Sequence, residues 1–364
     1  MMQDGAMVRE LLRPLEKFFN IPGVTEICIN RPGEVWTEAG PSWERHDTPE
    51  LDFNQCNSLA KAVASHTEQI LDQDHPILSA QLPGGQRIQI CIPPITERGV
   101  ISMTIRIPDP TNRTLDQYTK SGFFSQYRWA LPQNYESRKS ELREEDQVLV
   151  ENLRSGRFED FIKLAVARKK NIAVVGDTGS GKTTFMKTIC QEIPTDNRII
   201  TIEDVREIYL PRHGNVSHLT YSQGGQGAES VTPAKLIISC MRMKPDRVLL
   251  AELRGSEAFD FLKLLTTGHS GAITSYHAES CALAAERFVF MAKEHDHAQI
   301  YDADSLKRLI KLTIDVIIHI EVVRVYDEKG NPLRKDRFIS EISFDPVGKL
   351  KEQFGEGRVY KAGS

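Results

Sequence analysis

Gly176, Gly181, Lys182 and Thr183 stand at the spacing G-x-x-x-x-G-K-[ST] inside the stretch NIAVVGDTGSGKTT, Asn171 to Thr184. Each residue type in that pattern suits the binding of phosphate. Gly176, Gly179 and Gly181 permit positive φ and close backbone approach, so successive amide N–H groups can point at phosphate oxygens with no Cβ in the way. Lys182 supplies a mobile ammonium for the β- and γ-phosphates, and the Thr183 hydroxyl is of the kind that ligates Mg²⁺. Thr178, Ser180 and Thr184 supply the rest of the loop's polar lining. Further along the chain, the apolar run Arg198 to Ile202 ends in Glu203-Asp204, followed by Arg206 and Glu207, and Glu252 is the acid that ends DRVLLAE. Carboxylates at the C-terminal ends of strands face the crevice in which open α/β sheets bind ligands. His269 and His277 bracket one further strand, Ala272 to His277. With Cys281 they fit no common zinc spacing, and a sensor of the γ-phosphate or of a neighbouring subunit suits them better.

The elements that must carry these groups are legible from periodicity. Ile172 to Val175 is a short, wholly apolar run suited to a central parallel strand, and Thr184 to Glu192 reads as the following helix, stopped by Pro194. The helix adds its N-terminal dipole to the phosphate site. Helices are predicted at Asp146 to Ser155, at Phe158 to Arg168, and from the Thr232-Pro233 cap to about Arg242, with a mobile loop at Ser222 to Glu229. Helices Leu283 to Lys293 and Ser305 to Leu312 and strands Asp315 to Val323 and Arg337 to Phe344 close the region with an antiparallel edge. The expected class is α/β, a RecA-like phosphate-loop NTPase core with a smaller N-terminal α+β domain.

That smaller domain is read as residues 1–109. Strands are predicted at Val24 to Asn30, Glu34 to Glu38, Trp43 to His46, Leu78 to Leu82, Gln86 to Ile92 and Val100 to Ile107, with a helix at Phe53 to Leu71. Ile88, Ile90 and Ile92 alternate on one strand, and Ile101, Met103, Ile105 and Ile107 on the next. Arg87 and Arg106 therefore point away from the core, and a symmetric hairpin sets them opposite each other. Like charges so placed are unfavourable unless something anionic lies beside them; two solvated arginines are the plainer alternative. Residues 110–145, rich in Pro, Thr, Ser, Asn and charge around one aromatic island, read as an interdomain linker that either wraps a neighbouring surface or is mobile. The core domain then spans 146–364.

Length and composition agree with two globular domains: 364 residues, 40% hydrophobic and 26% charged. The net charge of −4 argues against a chain built as a polycation for nucleic acid, and no sequence-specific nucleic-acid contact is expected. Six scattered cysteines without a C-x-x-C pair suit reduced core thiols in a cytoplasmic setting. No run approaches ~18 apolar residues, and the N-terminus lacks a signal-peptide pattern. Val8 to Phe19 carries an apolar stripe that could touch a membrane surface, although docking on its own domain is the commoner fate and Pro14 interrupts it.

Four segments in order, GDTGSGKTT, IITIEDVREI, SCMRMKPDRVLLAELRGSEA and TTGHSGAITSYHA, resemble the phosphate loop, acidic box, second nucleotide motif and histidine box of the secretion traffic ATPases. ICINRPGEVW, LPGGQRIQI and ISMTIRIP resemble that family's N-terminal domain, so the likeness covers most of the chain. The subgroup it resembles is the hexameric ATPases of type IV secretion and conjugation systems. The resemblance implies ATP and Mg²⁺ as cofactors, a homo-hexamer, inner-membrane components of a secretion machine as partners, and a cytoplasmic location peripheral to the inner membrane. It assigns phosphate and metal to Lys182 and Thr183, polarisation of the attacking water to Glu203, metal support to Glu252, and coupling of nucleotide state to the ring to His269 and His277. Arg106 and Arg87 would reach the phosphates from the N-terminal domain. Arg206 departs from the acidic box of the family. Type II secretion or pilus motors share the motifs, though assembly motors often carry a four-cysteine zinc insert absent here. A RecA-like helicase and a non-hydrolysing nucleotide-gated scaffold are the remaining alternatives.

Overall fold

The computed structural model describes residues 5–40, 42–107, 112–221 and 231–359. The glycine-rich stretch expected as a mobile loop, Ser222 to Glu229, lies outside the described residues. Two sheets divide the chain. The first is antiparallel, in the order β3-β2-β1-β6-β5-β4, built from β1 (Val24–Ile29), β2 (Glu34–Ala39), β3 (Ser42–Asp47), β4 (Ile77–Gln81), β5 (Arg87–Cys91) and β6 (Ser102–Arg106). One face follows the period of two: Ile27 and Ile29, Ile88 and Ile90, and Met103 and Ile105 are buried.

Against that face pack the helix Phe53–His66, through Leu59 and Val63, and the N-terminal helical segment. Asp52 caps the former by accepting from the Gln55 amide at 2.8 Å. Pro14 breaks the latter into Ala6–Leu11, a 3₁₀ turn at Arg13–Leu15, and Glu16–Phe19. Its stripe is spent inside its own domain, because Val8, Leu12, Leu15 and Phe18 are all buried there. No helix of the described residues is long and apolar enough to cross a membrane.

The second sheet runs β13-β12-β7-β11-β10-β8-β9, from β7 (Ile172–Gly176), β8 (Ile199–Glu203), β9 (Val216–Thr220), β10 (Arg247–Leu250), β11 (Ile273–Tyr276), β12 (Val316–Tyr326) and β13 (Pro332–Ser343). All pairings are parallel except β12 with β13. Every residue of β7, β8, β10 and β11 is buried, as expected for strands covered on both faces. Val174, Leu249 and Ile273 face one apolar cluster under helices Glu144–Arg154, Phe158–Ala167 and Lys182–Cys190. Ala173, Val175 and Val248 face the other, under helices Pro233–Cys240, Glu257–Thr266, Cys281–Lys293 and Ala303–Thr313. This is the α/β layering of a RecA-like nucleotide-binding core beside a smaller α+β unit.

From residue 112 onward, the stretch between the two sheets packs on the core. Tyr118, Phe123 and Phe124 stack with Phe185 of the phosphate-loop helix and with Phe158, at ring separations of 4.6 to 6.2 Å. The Arg128 amide donates to the Ser340 carbonyl, and Ile342 donates back to Arg128, so the segment lies along β13 as extra edge structure. Aromatic burial explains why a stretch of otherwise polar composition is held down.

Candidate active site

The phosphate loop leaves β7 at Gly176 and enters its helix at Lys182. Gly176 has no alternative residue: a Cβ there would lie 2.3 Å from the Ile320 carbonyl oxygen on β12 and 2.8 Å from Ser180 Oγ. Gly181 sits at φ +91°, the left-handed region, which turns the chain into the helix. Lys182 is buried, and its ammonium donates to the carbonyls of Gly176 (2.9 Å) and Asp177 (2.8 Å). Burial pulls its pKa down to about 8; Arg106 pushes in the same direction, against the attraction of Glu252 and Asp177. Ser180 Oγ, inside the same loop, is buried with no hydrogen-bond partner among the described residues. Thr183 and Thr184 open the helix and are half-buried, while Thr178 is exposed at the loop's turn.

From Lys182 a chain of polar contacts crosses to the other sheet. Lys182 Nζ lies 3.3 Å from His277 Nδ1, and His277 Nε2 lies 3.3 Å from Glu252 Oε1. An ammonium can only donate, so Nδ1 accepts and Nε2 carries the hydrogen offered to Glu252. Arg254 grips the other Glu252 oxygen at 2.5 Å and reaches Asp204 at 3.3 Å. Asp204 in turn binds Arg87 of β5 at 2.5 Å, and Glu207 adds a second carboxylate to the same guanidinium at 3.1 Å. Although burial works to raise it, the His277 and Arg254 contacts hold the Glu252 carboxyl down at about 2.

Glu203 ends β8 fully buried. Its Oε2 accepts the amides of Glu207 and Ile208, both at 2.8 Å, and so shapes the acidic turn, while Oε1 has no hydrogen-bond partner among the described residues. His218 approaches Glu203 at 3.8 Å. Burial raises the Glu203 pKa against the two amide bonds. Arg206 is exposed, its guanidinium 5.2 Å over the Tyr209 ring, while Asp204 and Glu207 carry the ion pairs to Arg87.

The two β-hairpin arginines are direct partners in the β5–β6 ladder. Arg106 is exposed and pairs across β1 with Glu26. Together with Arg87, Asp204, Arg254 and Thr104 these residues line a cavity of about 380 Å³ between the N-terminal sheet and the core. His269 lies elsewhere: it precedes β11, at the opposite end of that strand from His277, and its Nδ1 meets Thr267 Oγ1 at 3.0 Å. Of the residues bordering the site, Asp204 and Glu207 are legible in the sequence, in the acidic run that ends β8, whereas Arg254 and Arg337 are not. Arg337 of β13 donates from Nε to the Gly179 carbonyl at 2.9 Å. For the acidic pair, the unfavourable facing of Arg87 and Arg106 was the available signal; for Arg337 there was none.

The described residues contain no cluster of three or more His, Cys, Asp or Glu able to hold a metal. Mg²⁺ is commonly held by one or two protein oxygens together with oxygens of its substrate. An ionised Glu252 and the Thr183 hydroxyl fit that role.

Fold and site together define a RecA-like α/β core that carries a glycine-rich loop after its central strand, beside a second domain whose arginines line the cavity between the two sheets. Residues 145–359 match the model of the Type II/IV secretion system protein family. The chain belongs to that family, and within it to the type IV secretion ATPases. It is 43% identical over 344 residues to the type IV secretion system protein VirB11 of Brucella suis, covering 94% of this chain and 91% of that one. Identity to the VirB11 protein of Bartonella henselae is 40%, with 96% of both chains covered. The PtlH homolog of Bordetella bronchiseptica is 38% identical over 88% of this chain and 93% of its own. Among solved structures, the crystal structure of the Brucella suis VirB11 ATPase in complex with sulphate aligns with a TM-score of 0.52 at 43% identity, covering 94% of this chain and 99% of that one. The pilus retraction motor PilT with bound ADP shares the fold at a TM-score of 0.56 and 16% identity, over 94% of this chain and 85% of its own.

Proposed function

We propose that this chain hydrolyses MgATP within a closed homo-hexameric ring, and that closure of the N-terminal sheet onto bound nucleotide is the movement delivered to a type IV secretion machine. The observation that carries the reading is the unbroken polar chain Lys182–His277–Glu252–Arg254–Asp204–Arg87, which joins the phosphate loop to the second domain. A γ-phosphate entering beside Lys182 competes for that lysine and for the arginines, and so redistributes the contacts that hold the two sheets together. In this reading Lys182 and the amides from Gly176 to Thr184 bind phosphate, and Thr183 and Glu252 hold Mg²⁺, which neutralises charge on the phosphates. Glu203, buried with one free oxygen, orients or deprotonates the attacking water. Arg106 closes on the phosphates from above, and Arg87 exchanges its carboxylates for phosphate oxygens. His277 relays occupancy to Glu252, and His269, at the opposite end of β11, faces a neighbouring subunit.

Head-to-tail contacts that close produce rings, and the sequence likeness supports six subunits acting at the cytoplasmic side of the inner membrane with its integral components as partners. The purified chain viewed by electron microscopy, with and without a non-hydrolysable ATP analogue, tests this directly. Six-fold rings whose N-terminal tier moves on binding are expected. Monomers at micromolar concentration in the presence of Mg²⁺ and analogue overturn the reading.

A further inference from the structure

The last hairpin of the core is longer than the sheet requires. β12 pairs with β7 from Val316 to Ile320, ending opposite Gly176. It then runs on to Tyr326, and β13 returns beside it from Pro332. At ~3.3 Å per residue this overhang is about 20 Å long. Nothing in its outer half is buried: Val323, Tyr326 and Leu333 are all exposed, so apolar packing does not hold it in place.

Two polar contacts do. Lys335 and Arg337, two apart and therefore on one side of β13, reach in different directions. Arg337 donates to the Gly179 carbonyl of the phosphate loop at 2.9 Å, and its Cδ lies 3.5 Å from where a Cβ on Gly181 would stand. Lys335 binds Glu38 of β2 at 2.6 Å, with both side chains about 15% exposed. Glu38 begins a cross-strand row: it partners Glu26, Glu26 partners Arg106, and Arg106 partners Arg87. The row that carries both arginines is thus anchored, through Glu38 and Lys335, to the strand whose Arg337 meets the phosphate loop.

We propose that Arg337 and Lys335 are positioning residues, and that the overhanging hairpin is a strut setting the separation between the phosphate loop and the arginine row. Arg337 turns the Gly179 carbonyl outward, which leaves the neighbouring amides free to face phosphate. Lys335 fixes the arginine row above them. The inference rests on the ATPase reading and adds to it two residues that touch neither nucleotide nor metal.

Full-length variants separate the two contacts. Binding of a fluorescent non-hydrolysable ATP analogue with Mg²⁺ reads the loop, and steady-state hydrolysis reads the arginine row. Arg337→Ala is expected to raise the Kd about tenfold, the loss of one charge-assisted hydrogen bond, and Arg337→Lys to recover most of it. Lys335→Glu and Glu38→Lys are each expected to lower kcat about tenfold with Kd within about twofold, and the double reversal Lys335→Glu with Glu38→Lys to return kcat to within about threefold. An unchanged Kd in Arg337→Ala, or a double reversal no better than its single variants, overturns the strut. Failure of the wild-type chain to bind the analogue removes the ATPase reading, and the strut falls with it.

Discussion

Arg87 and Arg106 face each other as cross-strand partners, yet their guanidinium groups have different neighbours: Arg87 is held by Asp204 and Glu207, while Arg106 extends into the cavity beside Glu26. One arginine is therefore ion-paired to the core, while the other faces the cavity between the sheets.

Arg106→Ala removes no buried side chain and should fold as wild type. Turnover should nonetheless fall by roughly 10²-fold, the scale of losing a charge partner in the transition state, and Arg106→Lys should recover little because a point charge cannot make the forked contact. Steady-state ATP hydrolysis with a thermal melt checks both. A wild-type rate with unchanged KM makes Arg106 a solvated surface residue.

Glu203→Gln tests chemistry apart from binding. The amide's remaining carbonyl oxygen can still accept from Glu207 and Ile208, so the acidic turn survives, but the free oxygen becomes an amide nitrogen that cannot take a proton. Analogue affinity should hold while kcat drops by far more than tenfold. If more than about a tenth of kcat remains, a loss under 1.4 kcal/mol, the water-activating role passes to Glu252.

Lys182 makes binding pH-dependent. Its folded-state pKa is depressed from 10.5 to about 8, so the buried ammonium costs stability in full below pH 8 and that cost is relieved between about 8 and 10.5. Phosphate favours the ammonium again. Binding should therefore take up a proton above pH 8 but not at pH 7, with Kd rising by up to about tenfold per unit over the interval. Calorimetry at pH 9 in two buffers of different ionisation enthalpy reads the uptake; identical heats in both would sink the assignment.

The two histidines should separate. His277→Ala cuts the link between Lys182 and Glu252 and should lower kcat by about tenfold or more, on the scale of one lost charged contact. His269→Ala lies at the other end of β11, so isolated turnover per site should stay within about twofold of wild type while ring stability measured by sedimentation declines. A large kcat loss in His269→Ala at unchanged assembly would place it back in the nucleotide site.

Much of this was written in local sequence. The phosphate loop is contiguous, and its glycines, lysine and threonine need no partner distant in the chain to be recognised. Buried parallel strands read as apolar runs, and the alternation of Ile88 and Ile90 against Met103 and Ile105 predicts the register that brings Arg87 opposite Arg106. Other features depended on which surfaces the fold brings together. Asp204 and Glu207 acquire Arg87 as a partner only because the N-terminal sheet lies over the core, a contact between residues more than a hundred positions apart. The stretch around Tyr118 and Phe123 reads as a linker that either wraps a neighbouring surface or is mobile, and only the fold, by setting Phe185 and Phe158 beneath its aromatic island, decides for the first. The outer half of the last hairpin was invisible for a related reason. Sequence periodicity ends strand β12 near Val323 and resumes β13 at Arg337, since a ribbon wet on both faces has no apolar alternation to reveal it. Backbone pairing alone extends it, and only the tertiary structure shows that its Lys335 meets Glu38 and its Arg337 meets Gly179.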